Sequence, residues 1–152
     1  MTVTVRPAEH PDLPAVIACV KAAFGPYVAR IGKPPAPMLA DYAALIGAGC
    51  VYVLPDADGV VGALVLQPQS DHLFVDVLAI RPDRHGHGLG RTLMEFAEVL
   101  AQGKGLDTVA LYTHELMVEA LSFYAALGYV ETDRRAESGY RRVYLRKTTL
   151  AR

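Results

Sequence analysis

The chain has 152 residues, 52% of them hydrophobic, and its 15 Lys and Arg against 16 Asp and Glu leave a formal charge of −1. That length and apolar content are enough to bury one core without disulfides or metal, so a single domain spanning residues 1–152 is expected. Balanced charge with no block of one sign excludes nucleic acid or an anionic membrane as the main partner, and no run approaches the roughly 18 apolar residues of a membrane span.

The opening MTVTVRPAEHPDL carries charge and prolines where a secretory leader needs an apolar run. Within it Thr2 to Arg6 alternates as a strand does and ends at Pro7. Asp12 then reads as an N-cap with Pro14 in the first turn, and Leu13, Val16, Ile17, Val20 and Phe24 share one helical face closed by Gly25-Pro26. Tyr27 to Pro37 is too rich in Pro and Gly for regular structure, and a second helix is expected over Met38 to Ile46. The two cysteines, Cys19 and Cys50, sit in apolar surroundings without metal-ligand spacing. They read as reduced core thiols, which points to a cytoplasmic protein.

Val51–Leu54 and Val60–Gln67 read as strands joined by an Asp56–Gly59 turn. A buried strand from Phe74 to Ile80 breaks at Arg81-Pro82 and enters His85-Gly86-His87-Gly88-Leu89-Gly90, which opens directly into an amphipathic helix striped by Leu89, Leu93, Phe96, Ala97 and Leu100. Thr108–Thr113 is a further strand. A helix striped by Met117, Ala120, Leu121, Tyr124 and Leu127 stops at Gly128, and a final hairpin turns at Glu137-Ser138-Gly139. The order is β-α-α-β-β-β-α-β-α-β-β, an α/β fold with a mixed sheet of about seven strands and helices on both faces.

The glycine turn carries the chemistry. Three glycines at alternate positions remove three Cβ atoms and free the backbone, so that N–H groups converge with those of the helix's first turn into an anion cradle. A phosphate-bearing cofactor follows, although a turn that needs glycine only for sharpness is the plain alternative. The spacing fails the G-x-G-x-x-G dinucleotide fingerprint, and no Gly-Lys-Ser/Thr follows as a Walker loop requires.

What remains resembles the pyrophosphate-binding motif of the GNAT superfamily of acyl-CoA N-acyltransferases, Gln/Arg-x-x-Gly-x-Gly/Ala. Gly88 and Gly90 match, Gly86 stands where a glycine is often found, and His85 replaces the Gln/Arg. A second stretch, Ala120 to Tyr129 (ALSFYAALGY), resembles the family's A-x-x-F-Y-x-x-L-G-F/Y signature in the expected order, and the element order is that of the family. Met117 stands where many members carry an Asn that helps hold the pantetheine. The resemblance plausibly covers the chain from the opening strand to Lys147 and implies a GNAT fold with acetyl-CoA as cofactor. Its pyrophosphate would sit on His85, Gly86, His87, Gly88, Leu89, Gly90 and Arg91. Its amide-bearing arm would pair with the backbone of Leu78, Ala79 and Ile80, the N–H of Leu78 or Ala79 serving as oxyanion donor. Arg84 is a second candidate for phosphate.

Two side chains are candidates for the chemistry. Tyr124 matches the family's tyrosine that often donates a proton to the departing sulfur; otherwise it is a core tyrosine of the helical stripe. Asp76 is an acid in an apolar strand, matching a Glu that many relatives use as base directly or through water; otherwise it faces solvent. Tyr27, Tyr42, Lys33 and the Pro34–Met38 stretch would border the acceptor pocket together with Arg134, Arg135 and Tyr140, and the two arginines point to an acceptor with a carboxylate or phosphate. His85-x-His87 with His72 or His114 lacks a Cys or second acid at metal spacing, so no metal is expected. His87 and His114 are candidate proton relays.

The function implied is transfer of an acetyl group from acetyl-CoA to a primary amine of a small molecule or protein, directly within a ternary complex. No nucleic-acid or membrane partner is expected, and a homodimer is compatible with the sequence. A non-catalytic acyl-CoA-binding or sensing module is the alternative, and an unrelated nucleotide-binding domain survives only if the glycine turn is misread.

Overall fold

A computed structural model describes residues 4–149. Seven strands form one sheet in the order β1-β2-β3-β4-β5-β7-β6: β1 (Arg6–Pro7), β2 (Val51–Asp56), β3 (Gly59–Pro68), β4 (Leu73–Ile80), β5 (Thr108–His114), β6 (Val130–Glu137) and β7 (Tyr140–Thr148). Neighbours run antiparallel except β4 and β5, which are parallel. The helices are α1 (Leu13–Phe24), α2 (Tyr27–Ile31), α3 (Tyr42–Gly47), α4 (Leu89–Gly103) and α5 (Val118–Ala126). The expected mixed sheet with helices on both faces is what forms.

Two cores result, one on each face. α4 and α5 cover the first, packing Leu93, Met94, Ala97 and Tyr124 on Leu73, Val75, Val109, Leu111, Val143 and Leu145. α1 and α3 cover the second, packing Val16, Val20 and Ile46 on Val51, Val53, Ala63, Val65, Val77 and Ala79. None of the described helices is long and apolar enough to cross a membrane.

Several local expectations are corrected. The opening strand pairs only through Arg6 with Val53 and Pro7 with Tyr52; Thr2 and Val3 lie outside the described residues. Pro7 fits there because β1 is an edge strand. Asp12 stands at the α1 N-cap, but its carboxylate accepts from Arg6 at 2.8 and 3.0 Å and from the Glu9 N–H at 2.7 Å, so it does not cap the helix. Ile17 sits at the rim of the α1 stripe, 36% exposed, and Cys19 takes the buried place. Cys50 is only half-buried, although both thiols are free.

The supposed loop after Pro26 contains α2, because the prolines that forbid helix come later and Gly32, at φ 94°, ends the turn. The next helix starts at Tyr42 and not at Met38. Asp41 caps it by accepting from the Ala44 N–H at 3.1 Å, while Ala36–Leu39 form a 3₁₀ turn led by prolines.

One irregularity positions the site. Val65 opposes Val77 and Leu66 opposes Val75, so Asp76 has no partner on β3 and forms a bulge. The extra residue flips the pleat: Leu73 and Val75 face the first core, whereas Val77 and Ala79 face the second. Parallel pairing of β4 with β5 also stops there, its last pair being Val75 with Leu111. Beyond it the two strands part and β4 has a free edge.

Candidate active site

The Arg81 N–H donates to the Val61 carbonyl of β3 at 2.9 Å. Because backbone groups alternate along a strand, Ala79 and Val77 also turn theirs to β3, and Leu78 and Ile80 turn theirs to the free edge. This corrects the expected trio. Ala79 is 1% exposed in the α1 core with its backbone spent on β3, so Leu78 and Ile80 alone offer N–H groups to the gap.

Past the strand, a 3₁₀ turn (Pro82–Arg84) leads into the glycines. Gly86 and Gly88 have φ of 84° and 76°, angles that side chains disfavour. Gly90 is needed for packing, since a Cβ there would lie 3.0 Å from the Phe123 ring of α5. The first α-helical bond of α4 runs from the Thr92 N–H to the Gly88 carbonyl, leaving the N–H groups of Leu89, Gly90 and Arg91 without intrahelical partners at the positive end of the helix. A Cβ at Gly86 or Gly88 would meet nothing within 4 Å, so the space over the turn is open. This donor set, beside the free edge of β4, fits a pyrophosphate followed by an amide-bearing arm.

The neighbouring side chains sort themselves. The guanidinium of Arg84 is held by Asp56, Asp58 and Asp83, which ties it to the β2–β3 turn even though it borders the cleft. The Nε2 of His85 lies 3.2 Å from the Ile80 carbonyl, so this histidine closes off the last strand carbonyl. His87 is exposed and does not line the cleft. Arg91 and Leu89 do line it.

That cleft encloses about 510 Å³ between the glycine turn, α5 and the end of α1. Tyr27 borders it, under Arg30, whose guanidinium donates to Glu119 of α5 at 2.6 and 3.0 Å. A second, tighter pocket of about 90 Å³ adjoins it, walled by Pro35–Pro37, Tyr112, Tyr140 and Arg142. Phe24, Leu78, Met117, Ala120 and Tyr124 line both cavities, so the two meet at this point.

Tyr124 is 8% exposed, and burial alone pushes its hydroxyl well above the ordinary tyrosine range. No protein group among the described residues takes part in a hydrogen bond with it, and it stands where the cavities join. It belongs both to the core and to the site. Asp76, on the bulge, lines the tighter pocket. Burial raises its pKa, which the Gln67 amide, donating at 2.9 Å, and the charge of Arg142 partly offset. It is not a solvent-facing acid.

His114 lines the same pocket. Its Nδ1 accepts from the Leu116 N–H at 3.0 Å, the Arg141 N–H points at Nε2 from 3.5 Å, and burial lowers its pKa, which favours the neutral ring. Of the residues expected on the acceptor side, Tyr140 lines this pocket, its hydroxyl donating to the Pro34 carbonyl at 2.6 Å. Tyr42 is a core tyrosine whose hydroxyl donates to the Pro37 carbonyl at 2.5 Å. Tyr27 falls to the larger cleft, and Arg135 lies over the Tyr144 ring, paired with Asp133 at 2.8 Å and away from the pocket. Tyr112 and Arg142 were missed. The strand alternation of Tyr140, Arg142 and Tyr144 was visible, but their place beside β5 depends on β7 inserting between β5 and β6.

Residues 47–131, more than half of the chain, match the family described as the acetyltransferase (GNAT) domain, and the chain belongs to that family. Mycothiol acetyltransferase of Streptomyces coelicolor is 43% identical over 61 residues, 39% of this chain and 20% of that protein. Probable N-acetyltransferase 14 of Xenopus tropicalis is 30% identical over 79 residues, 51% of this chain and 38% of its own. The chain thus spans well under half the length of these curated relatives. The crystal structure of the PaiA N-acetyltransferase from Thermoplasma acidophilum in complex with coenzyme A shares the fold, with a TM-score of 0.81 at 17% identity over 97% of this chain and 99% of that one.

Proposed function

We propose that residues 1–152 act as one domain that moves an acetyl group from acetyl-CoA to a primary amine of a small molecule or protein, both bound at once in the two joined cavities. The observation that carries this reading is Tyr124 at their junction, its hydroxyl kept protonated by burial and without a hydrogen-bond partner among the described residues. A module that only sensed the cofactor would have no use for a second cavity meeting the first at a proton donor.

When bound, acetyl-CoA supplies the activated acyl thioester. The N–H groups of Leu89, Gly90 and Arg91, with the open turn at Gly86 and Gly88, would hold its pyrophosphate, and the Leu78 and Ile80 backbone its amide arm. Leu78 lines both cavities, and its N–H, turned to the free edge of β4, would donate to the acyl oxygen as negative charge gathers there. Asp76, raised toward the range of a general base, would accept the amine's proton directly or through water. Tyr124 would donate to the departing sulfur, a thiolate with pKa near ~8.5 by analogy with cysteine.

The test is thiol release from acetyl-CoA against a broad panel of amines, with both concentrations varied. Intersecting initial-rate lines are expected for a ternary complex. Parallel lines, or acetyl-CoA binding with no amine-dependent thiol release, would reject direct transfer or catalysis respectively.

A further inference from the structure

We propose that the acceptor carries a carboxylate on the same small molecule as its amine, and that Arg142 binds that carboxylate; this rests on the acetyltransferase reading above.

Arg142 stands on β7 opposite His114 of β5, and its side chain is only 16% exposed. It lines the tighter pocket. Its guanidinium carbon lies 4.2 Å from the centre of the Tyr112 ring and 5.8 Å from that of Tyr140, so two aromatic faces fix its plane. Its Nε is buried without a hydrogen-bond partner among the described residues. Glu137 forms an ion pair with it through Nη1 alone, at 3.6 Å, longer than an ordinary hydrogen bond, and does not reach Nε. Glu137 accepts from the Tyr144 hydroxyl and divides its remaining charge between Arg142 and Arg135, each 3.6 Å away. A guanidinium this far from water ordinarily has a bidentate acid, because its desolvation is otherwise uncompensated. Here the space for that acid is the pocket.

The other arginines of this hairpin do not compete. Arg134 is taken by Glu131 and Glu115, and Arg135 by Asp133, and neither lines the pocket. The rest of the lining decides what kind of anion fits. Asp76 shares the cavity, and apart from Thr113 and His114 the walls are apolar or aromatic. A single guanidinium facing a nearby carboxylate suits a monoanion; a phosphate dianion would be repelled by Asp76 and Glu137. The same asymmetry orients the ligand, with its amine toward Asp76 and Tyr124 and its carboxylate toward Arg142. An enclosed volume of about 90 Å³ takes an amino acid or similar compact molecule.

The experiment compares amino acids with their primary amides as acceptors for wild type, Arg142→Gln and Arg142→Lys. N-acetylated amino acids and their amides are titrated calorimetrically, with and without coenzyme A. Wild type should prefer the acids by at least about tenfold in kcat/KM or Kd. Arg142→Gln should erase that preference, losing roughly 100-fold on the acids and under about threefold on the amides; Arg142→Lys should recover only part, a point charge replacing a planar fork. Melting temperatures check that each variant folds. Equal handling of acids and amides by wild type, an equal loss on both in Arg142→Gln, or no binding of any acid overturns the assignment. Coenzyme A binding measured in the same titrations separates this outcome from failure of the acetyltransferase reading itself.

Discussion

Removing the hydroxyl of Tyr124 tests the chemistry most directly, because the structure separates its catalytic cost from its structural one. In the resting protein no group among the described residues depends on that hydroxyl. Tyr124→Phe therefore leaves no buried partner unpaired, keeps the edge-to-face contacts with Phe123 and Tyr129 at 5.1 and 5.9 Å, and should change stability by less than about 1 kcal/mol. In the reaction the same hydroxyl would donate to a developing thiolate. A hydrogen bond to a charged acceptor is worth about 1.5–3 kcal/mol, or roughly 10–200-fold in rate, and full proton donation extends the range toward roughly 1,000-fold. The expected result is a kcat lowered by roughly 10–1,000-fold, an acetyl-CoA Kd within about twofold of wild type, and an unchanged melting temperature. Thiol release under saturating amine reads kcat, and calorimetry reads the Kd. Burial holds the Tyr124 hydroxyl protonated well beyond the ordinary tyrosine range, so wild type should show no loss of rate from its ionisation up to about pH 10. A folded variant with kcat within about threefold of wild type would mean that Tyr124 is only a core residue and that catalysis is positioning alone.

Other perturbations probe the neighbouring parts. Asp76 has its folded pKa above the unfolded value, so above the ordinary carboxylate range the folded protein keeps more of its proton than the unfolded chain does, and stability falls as pH rises through that window. Asp76→Asn should therefore melt higher than wild type at pH 7 and lose that advantage on acidification; it should also flatten the acid limb of the rate-versus-pH profile, and a variant that melts lower at pH 7 contradicts the sign. Gly88→Val puts a β-branched side chain at φ 76° facing open space over the turn, so acetyl-CoA binding should weaken by more than about tenfold in calorimetry with the fold retained. Wild-type affinity in that variant would move the cradle elsewhere. Dialysis against a strong chelator should leave the melting temperature and any acetyl-transfer rate unchanged; activity lost and restored by zinc would show a metal that the donor chemistry does not predict.

How much of this was legible in the sequence depended on the range of the interaction concerned. The glycine turn, the helix behind it, the Asp56–Gly59 hairpin and the stop at Gly128 were readable because each is set by neighbours a few residues apart: positive φ, helical period, turn chemistry. Tyr124 and Tyr140 were named from motif and strand pattern, and both line the tighter pocket. The tertiary structure decided the rest. Whether Asp76 faced solvent or a pocket turned on a one-residue bulge against β3, which no period of the chain reveals. Whether Tyr27, Tyr42 or Arg142 lined the tighter pocket depended on α2 folding where prolines suggested a loop, and on β7 lying between β5 and β6. Apolar periodicity states which face of an element is buried. It does not state which distant element covers that face, and a cavity is lined by residues whose contacts are set by that long-range pairing.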